Sequence, residues 1–270
     1  MTAVAAPASR RISPGVLLGG ALALLIAILA LASLAWTPHG AATLAPLAEP
    51  SAAHWLGTDA TGRDGVSLLM AATLTTLLLA TFATLATLLV GVPIGAVLAL
   101  RVGPTSYSAH AIAMLPPALL IGMVAAGLAA PANLTIFLAI ALPGTFVAAA
   151  ITREVLAPLW ARDYVTAARL AGLRPLAVAQ RHVLPRLLPQ LGALGLELLA
   201  VAILIEVSLS FAGLGVLPPG ASLGLMLRDG QQFMAIRPLL VLAPGAVALI
   251  TALALMLAAS GLRGGHNGAA

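Results

Sequence analysis

This chain of 270 residues has few side chains with which to do chemistry. It holds thirteen basic residues, every one an arginine, with eight Asp and Glu, five His and no Cys. Without cysteine there is no disulfide, no thiolate nucleophile and no Cys-based metal site. Without lysine there is no Schiff-base group and no GxxxxGK[ST] phosphate loop, so any ATP used must be hydrolysed by another chain. Two carboxylates, Glu197 and Glu206, stand in an apolar run. An ionised acid at mid-membrane costs about 2.5–3.5 kcal/mol on insertion scales, so such a group must face protein or water. At about 100° per residue the two project from roughly opposite helix faces and cannot form one paired site. Both are pathway candidates. Glu197 reads as the deeper of the two, and Glu206 is equally suited to a structural hydrogen bond with the turn that follows it. A third group is the strip HWLGTDATGRDG, 54–65, with His54, Asp59 and Asp64. Three such residues without a matching set elsewhere favour an ordered turn over a metal or acid–base site, with Asp59 and Asp64 capping turns or the next helix. No metal is expected.

The longest polar interruption is RDYVTAARLAGLRPLAVAQRHVLPRLLP, 162–189, which carries Arg162, Arg169, Arg174, Arg181 and Arg186. Its spacing predicts two short helices. Asp163 suits an N-cap, Tyr164, Ala167, Ala168 and Ala171 form a narrow stripe of small residues, and Gly172 suits a left-handed C-terminal cap. Pro175 can open the second helix, whose run is expected to stop near Pro185. A helix faced with alanine lets another backbone approach, which is the surface of a docking element. A surface helix that merely joins two spans has the same pattern, and the loop alone leaves both readings open.

These elements must be positioned by a membrane protein. Hydrophobic residues make up 61% of the chain and charged ones 8%, against roughly a quarter charged in soluble domains. The apolar run 15–36 has the length of an uncleaved span rather than the 7–15 residues, roughly, of a signal-peptide core. A Pro-, Ala- and Gly-rich loop follows, 37–65. The run 66–100 is too long for one straight crossing and is expected to bend or end at Gly91, Pro93 and Gly95. Two spans fit between 109 and 152, split near Pro131, then a loop beginning at Arg153. A fifth span runs 187–209, a polar turn 213–238, and a sixth span 239–260 ending at Arg263. With six spans and the N-terminus inside, ten arginines (10, 11, 101, 153, 162, 169, 174, 181, 186 and 263) fall on the cytoplasmic side and three (Arg63, Arg228, Arg237) outside, as the positive-inside rule requires. The basic excess is thus a topology signal, and no nucleic-acid partner is expected.

Four segments, in order, carry a resemblance to the inner-membrane permease subunits of peptide/nickel-type ABC importers, of the dipeptide permease C kind. HWLGTDATGRD, 54–64, resembles that family's HPLGTDxxGRD element, including Gly57, Thr58, Gly62 and Arg63. RDYVTAARLAG with HVLP, 162–172 and 182–185, resembles the coupling motif EAA–x3–G–x9–I–x–LP, with Ala167, Ala168, Gly172, Leu184 and Pro185 on its spacing. EVSLSFAGLGVLPPGASLGLML, 206–227, is similar to the external turn, and 242–264 to the final span. Thr166 stands where the motif has Glu, His182 where it has Ile, Leu223 for a usual Trp and Ser260 for an acid.

The resemblance implies an all-α, type I importer fold of six transmembrane helices with cytoplasmic coupling helices. It divides the chain into a cytoplasmic tail 1–14, a first span 15–36, a periplasmic loop 37–65, a permease core 66–264 with coupling loop 153–186, and a cytoplasmic tail 265–270. It implies location in a bacterial inner membrane and a transport subunit without catalytic residues or cofactors of its own. A second permease, two ATPase subunits that bind ATP and Mg, and a periplasmic solute-binding protein are the implied partners. The coupling residues would be Asp163, Tyr164, Thr166, Ala167, Ala168, Arg169, Gly172, His182, Leu184 and Pro185. The strip His54, Gly57, Thr58, Asp59, Gly62, Arg63 and Asp64 would face the binding protein. Peptides, nickel and metal chelates all remain open as cargo. A secondary transporter would need a mid-membrane ion site, and a membrane enzyme a polar cluster at depth; the spans supply neither pattern.

Overall fold

The computed structural model describes residues 14–36, 45–52, 54–102, 121, 124, 131–172 and 175–267. The long helices are α1 (Pro14–Ala32), α2 (Gly65–Val102), α3 (Ala132–Trp160), α6 (Leu184–Phe211) and α8 (Leu239–Asn267). Between them stand α4 (Asp163–Leu170), α5 (Pro175–Val178) joined to α6 by a π-turn (Ala179–Val183), and α7 (Leu223–Gln231). Among the described residues no strand forms, and Thr58 and Asp64 pair as an isolated antiparallel bridge. Among the described residues, five helices are long and apolar enough to cross a membrane. In lipid every backbone N–H and C=O must be satisfied within the chain, so runs of Leu, Ala and Val this long can only be helices.

The bundle is held by small residues. A Cβ added at Gly91 of α2 would meet Ala148 and Thr145 of α3, and one at Gly95 would meet Ala149 and Thr152. These glycines let the two backbones touch, which in lipid substitutes for the missing hydrophobic drive. Behind that contact Ala80 and Ala83 of α2, Ile136 and Ile140 of α3, Ile203, Ile205 and Leu209 of α6, and Ala252 and Leu255 of α8 form the main core. The first helix packs beside the last, with Gly19 against Ala254 and Ala258. Large apolar side chains point outward, as a lipid-facing surface requires.

Several expectations are revised. The third expected span falls on residues 103–130, of which Ile121 and Val124 alone are described, both helical. The helix α2 is not ended at Gly91, Pro93 or Gly95: it runs for 38 residues, roughly 57 Å at 1.5 Å per residue. Gly91 and Gly95 serve contact with α3 instead. The loop does not begin at Arg153, which lies inside α3; that helix continues to Trp160. Nor does the second short helix stop at Pro185. Leu184 N–H bonds back to Ala179 O through the π-turn, and the helix passes Pro185, which has no N–H to donate, without a break. Finally, α8 runs past Ser260 and Arg263, and the polar turn 213–238 contains a helix, α7, capped by the Ser222 side chain, which accepts from Leu225 N–H (3.2 Å).

Candidate functional site

One end of the bundle, here the rim end, is built from the segments before α2 and after α6. Asp64 is the N-cap of α2: its Oδ2 accepts from Ser67 N–H and Ser67 Oγ, both at 2.9 Å. Its Oδ1 accepts from His54 Nδ1 at 2.9 Å. Asp59 closes its own turn, Oδ1 accepting from the N–H groups of Thr61 and Arg63 and Oδ2 from Arg63 Nε at 2.7 Å. Burial alone would raise the Asp59 carboxyl. The hydrogen bonds from Arg63 and Thr61, with the Arg63 charge, outweigh burial and hold it below its ordinary value near 3.8. Thr58 Oγ1 donates to Ala45 O (2.7 Å) and accepts from Ala48 N–H (2.8 Å), locking the preceding loop. Gly57 and Gly62 have φ of +71° and +80°, and a Cβ on Gly57 would strike the Ala48 carbonyl. The strip is thereby a self-tied knot: His54 and Asp64 meet, while Asp59 turns to Thr61 and Arg63.

The turn after α6 is tied to the same end by a buried carboxylate. Glu206 is fully buried, its Oε1 accepting from Ser210 Oγ (2.7 Å) and its Oε2 from Thr76 Oγ1 (2.8 Å) of α2. Thr76 Oγ1 accepts in turn from Leu223 N–H (3.1 Å) at the start of α7, and Ser210 Oγ from Val216 N–H (3.2 Å). One carboxylate thus joins α2, α6, α7 and the intervening loop. Of the two roles open to Glu206, the hydrogen bonding to the following turn is present. Arg237, beyond α7, donates from Nε to Leu47 O (3.0 Å) and from Nη1 to Glu49 (3.3 Å), so the two loops are clasped together.

Glu197 is partnered across the bundle by the last helix. It accepts from Arg263 Nη2 at 2.6 Å, and its side chain is 32% exposed. The pair ties α6 to α8.

The opposite end, the short-helix end, is built around α4. Its first carbonyl-to-amide bond is Thr166 N–H to Arg162 O (3.2 Å). Arg162 therefore holds the cap position and Asp163, expected there, is the first helical residue, where its charge still favours the helix N-terminus. Val165 is fully buried against Leu156, Ala157, Val178, Val183 and Leu187, with Ala168 packed on the same cluster. Thr166, Ala167, Leu170, Ala171 and Gly172 are exposed, Leu170 at 85%. The expected stripe therefore divides, Ala167 and Ala171 outward and Ala168 half inward. Gly172 has φ +83° with open space where a Cβ would go, so conformation and not crowding selects glycine there. The side chains of Tyr164, Arg169 and His182 lie outside the described ones. Leu184 and Pro185 begin α6. The sequence reading does not single out Thr76, Val165, Ser210 or Ser222 and uses Arg237 only as a topology marker; the i,i+4 spacing of Glu206 and Ser210 is the one local signal available.

Among the described residues, five helices of membrane-spanning length form a bundle with a clasped loop end and an exposed short helix at the other, and the relatives of this chain are membrane transport subunits. No family model matches the chain. It is 31% identical over 245 residues to the nickel transport system permease protein NikC of Escherichia coli K12, covering 88% of each chain. It is 32% identical to the probable peptide ABC transporter permease protein y4tQ of Sinorhizobium fredii, over 93% of this chain and 87% of that one. It is 31% identical to the di/tripeptide transport system permease protein DppC of Pseudomonas aeruginosa, over 77% and 70% respectively. The chain belongs to the permease subunits of peptide/nickel-type ABC importers. It is a multi-pass protein of the inner membrane and a transport subunit rather than an enzyme.

Proposed function

We propose that this chain forms half of the translocation pathway of an ATP-driven importer, coupled through α4 to a separate ATPase. In that assembly α4 sits in a groove of the ATPase on the cytoplasmic side, and both termini are cytoplasmic. The rim end meets a solute-binding protein outside, a homologous permease supplies the other half, and a second ATPase serves that half. ATP and Mg are bound by the ATPases. The observation that carries this reading is the division of α4: Val165 anchors one face, while Thr166, Ala167, Leu170 and Ala171 stand exposed. The exposed Leu170 beside small residues offers an apolar face that another backbone can approach closely.

The mechanism follows from continuity. α5, the π-turn and α6 run without a loop, and Glu206 near the far end of α6 holds α7 and α2. A push on α4 passes through Val165 to Val178, Val183 and Leu187 of this one rod and along it to the rim, so closure of the ATPases rocks the span and alternates the opening of the pathway. Coupling is reciprocal, and loaded binding protein at the rim favours the ATP-closed state at the other end. The cargo is of a class named in the relatives, nickel or a peptide, with selectivity residing chiefly in the binding protein. Purification from native membranes in mild detergent tests the assembly. Recovery with a second permease and ATPases supports it. Recovery of the chain alone, still transporting after reconstitution, would overturn it.

A further inference from the structure

Between the 59–65 turn and α7 lies a cavity of about 230 Å³. It is smaller than the roughly 300–1,000 Å³ of sites for drug-sized ligands and has the size of one long side chain. Its floor is apolar, from Leu68, Leu225, Met226, Phe233 and Leu240. Its mouth is polar, and the charges there do not balance. Asp59 and Arg63 also line it, but they neutralise one another at 2.7 Å. Asp229 lines it as well, exposed in the last turn of α7, and no cation pairs with its carboxylate among the described residues. The neighbouring Arg228 guanidinium is turned away against Gly213. The C-terminal carbonyls of α7 add negative potential at the same place, since the end of a helix carries roughly half a negative charge.

We infer that this notch seats one long cationic side chain, lysine or arginine, presented by the solute-binding protein. The methylene stem covers the apolar floor and the charged head reaches Asp229 and the end of α7, as such side chains do when they lie along apolar surface. An acidic or purely apolar occupant would desolvate Asp229 without a partner. Because the walls come from both the 59–65 turn and α7, the same side chain touches both segments that the Glu206 network and the Arg237 clasp hold together. The inference rests on the importer reading above and names the chemistry of one of its contacts.

The test uses the assembled transporter in lipid nanodiscs with its own binding protein, and reads affinity by interferometry at low and high salt. Asp229→Lys is expected to weaken binding by about tenfold or more, and Asp229→Asn less, with a shallower salt dependence. Met226→Trp, which fills the floor, is expected to weaken binding while leaving the salt dependence as in the wild type. A Lys→Glu or Arg→Glu change in the binding protein that restores affinity for Asp229→Lys identifies the occupant. Asp229→Lys is a surface change on a helix, so it reports even where Met226→Trp fails to fold. Unchanged affinity in Asp229→Lys overturns the notch and leaves the importer standing. Loss of the second permease from that variant assigns the notch to that subunit and overturns the inference. A wild-type complex that recruits no binding protein removes both readings together.

Discussion

The two ends of the bundle are stabilised by different physics. At the rim end nearly every polar side chain is committed within the chain: Asp64 to Ser67 and His54, Asp59 to Thr61 and Arg63, Glu206 to Thr76 and Ser210, Arg237 to Leu47 and Glu49. At the short-helix end a small apolar cluster around Val165 does the holding, and the outer face is left uncommitted. A surface that saturates its own hydrogen bonds keeps its shape before a partner arrives. One held by a few methyl groups, with a leucine in water, gains stability when covered. The contrast marks the rim as a preformed platform and α4 as the element whose stability depends on its neighbour.

The contrast can be broken at several points. The largest effect is expected from Glu206→Leu, which leaves the buried hydroxyls of Thr76 and Ser210 without their acceptor. At about 1–3 kcal/mol for each unsatisfied group, thermal unfolding in detergent should shift strongly downward, and less for Glu206→Gln. An unchanged melting curve would show that the network does not hold the rim. Next comes Gly172→Trp. Placing a side chain at φ +83° costs about 1–2 kcal/mol, and the indole also projects into the space before α4. The protein should remain in the membrane while ATP hydrolysis continues without uptake. Normal uptake by that variant would remove α4 as the coupling element. Asp64→Ala should cost about 1 kcal/mol through loss of the α2 cap, visible as faster amide exchange at Gly65 to Ser67, with the short-helix end unaffected.

The pH dependence sharpens the rim half of the contrast. The Asp59 carboxyl is held below its ordinary value, so its contribution is complete above pH about 4 and is lost as pH falls through the lower folded value. The stability difference between wild type and Asp59→Asn should therefore be flat from neutral pH to about pH 5 and shrink only under stronger acid. A difference that vanished near neutrality would assign the titration to another group. The smallest effect is expected for Glu197→Gln. Its pair with Arg263 is half exposed, and such pairs are worth about 0–1 kcal/mol. A loss of transport with wild-type stability would instead give Glu197 a place in the pathway.

Much of this was readable along the chain because it is local. Asp64 three residues before Ser67 is a capping signal, Asp59 two and four residues before its partners is a turn signal, and Gly172 at the end of an alanine-rich octet announces a left-handed residue. What could not be read is non-local or compensatory. Thr76 meets Glu206 across 130 positions, and Arg237 meets Leu47 across 190; neither has a periodicity to reveal it. Glu197 meets Arg263 across 66 positions, again with no local signal. Pro185 reads as a stop because proline usually ends a helix from within, yet here the helix continues past it from the π-turn.

The π-turn at Ala179–Val183 has a consequence for chain length. A turn closed by Leu184 N–H on Ala179 O spans one residue more than an α-helical turn. Removing one residue there would leave an ordinary helix with the faces on either side still in phase. Removing one a turn later, inside α6, would swing Glu197 and Glu206 by about 100° relative to α4. Along the rod from Pro175 to Phe211, these five positions are the place where the chain can shorten by one and keep its two ends facing their partners.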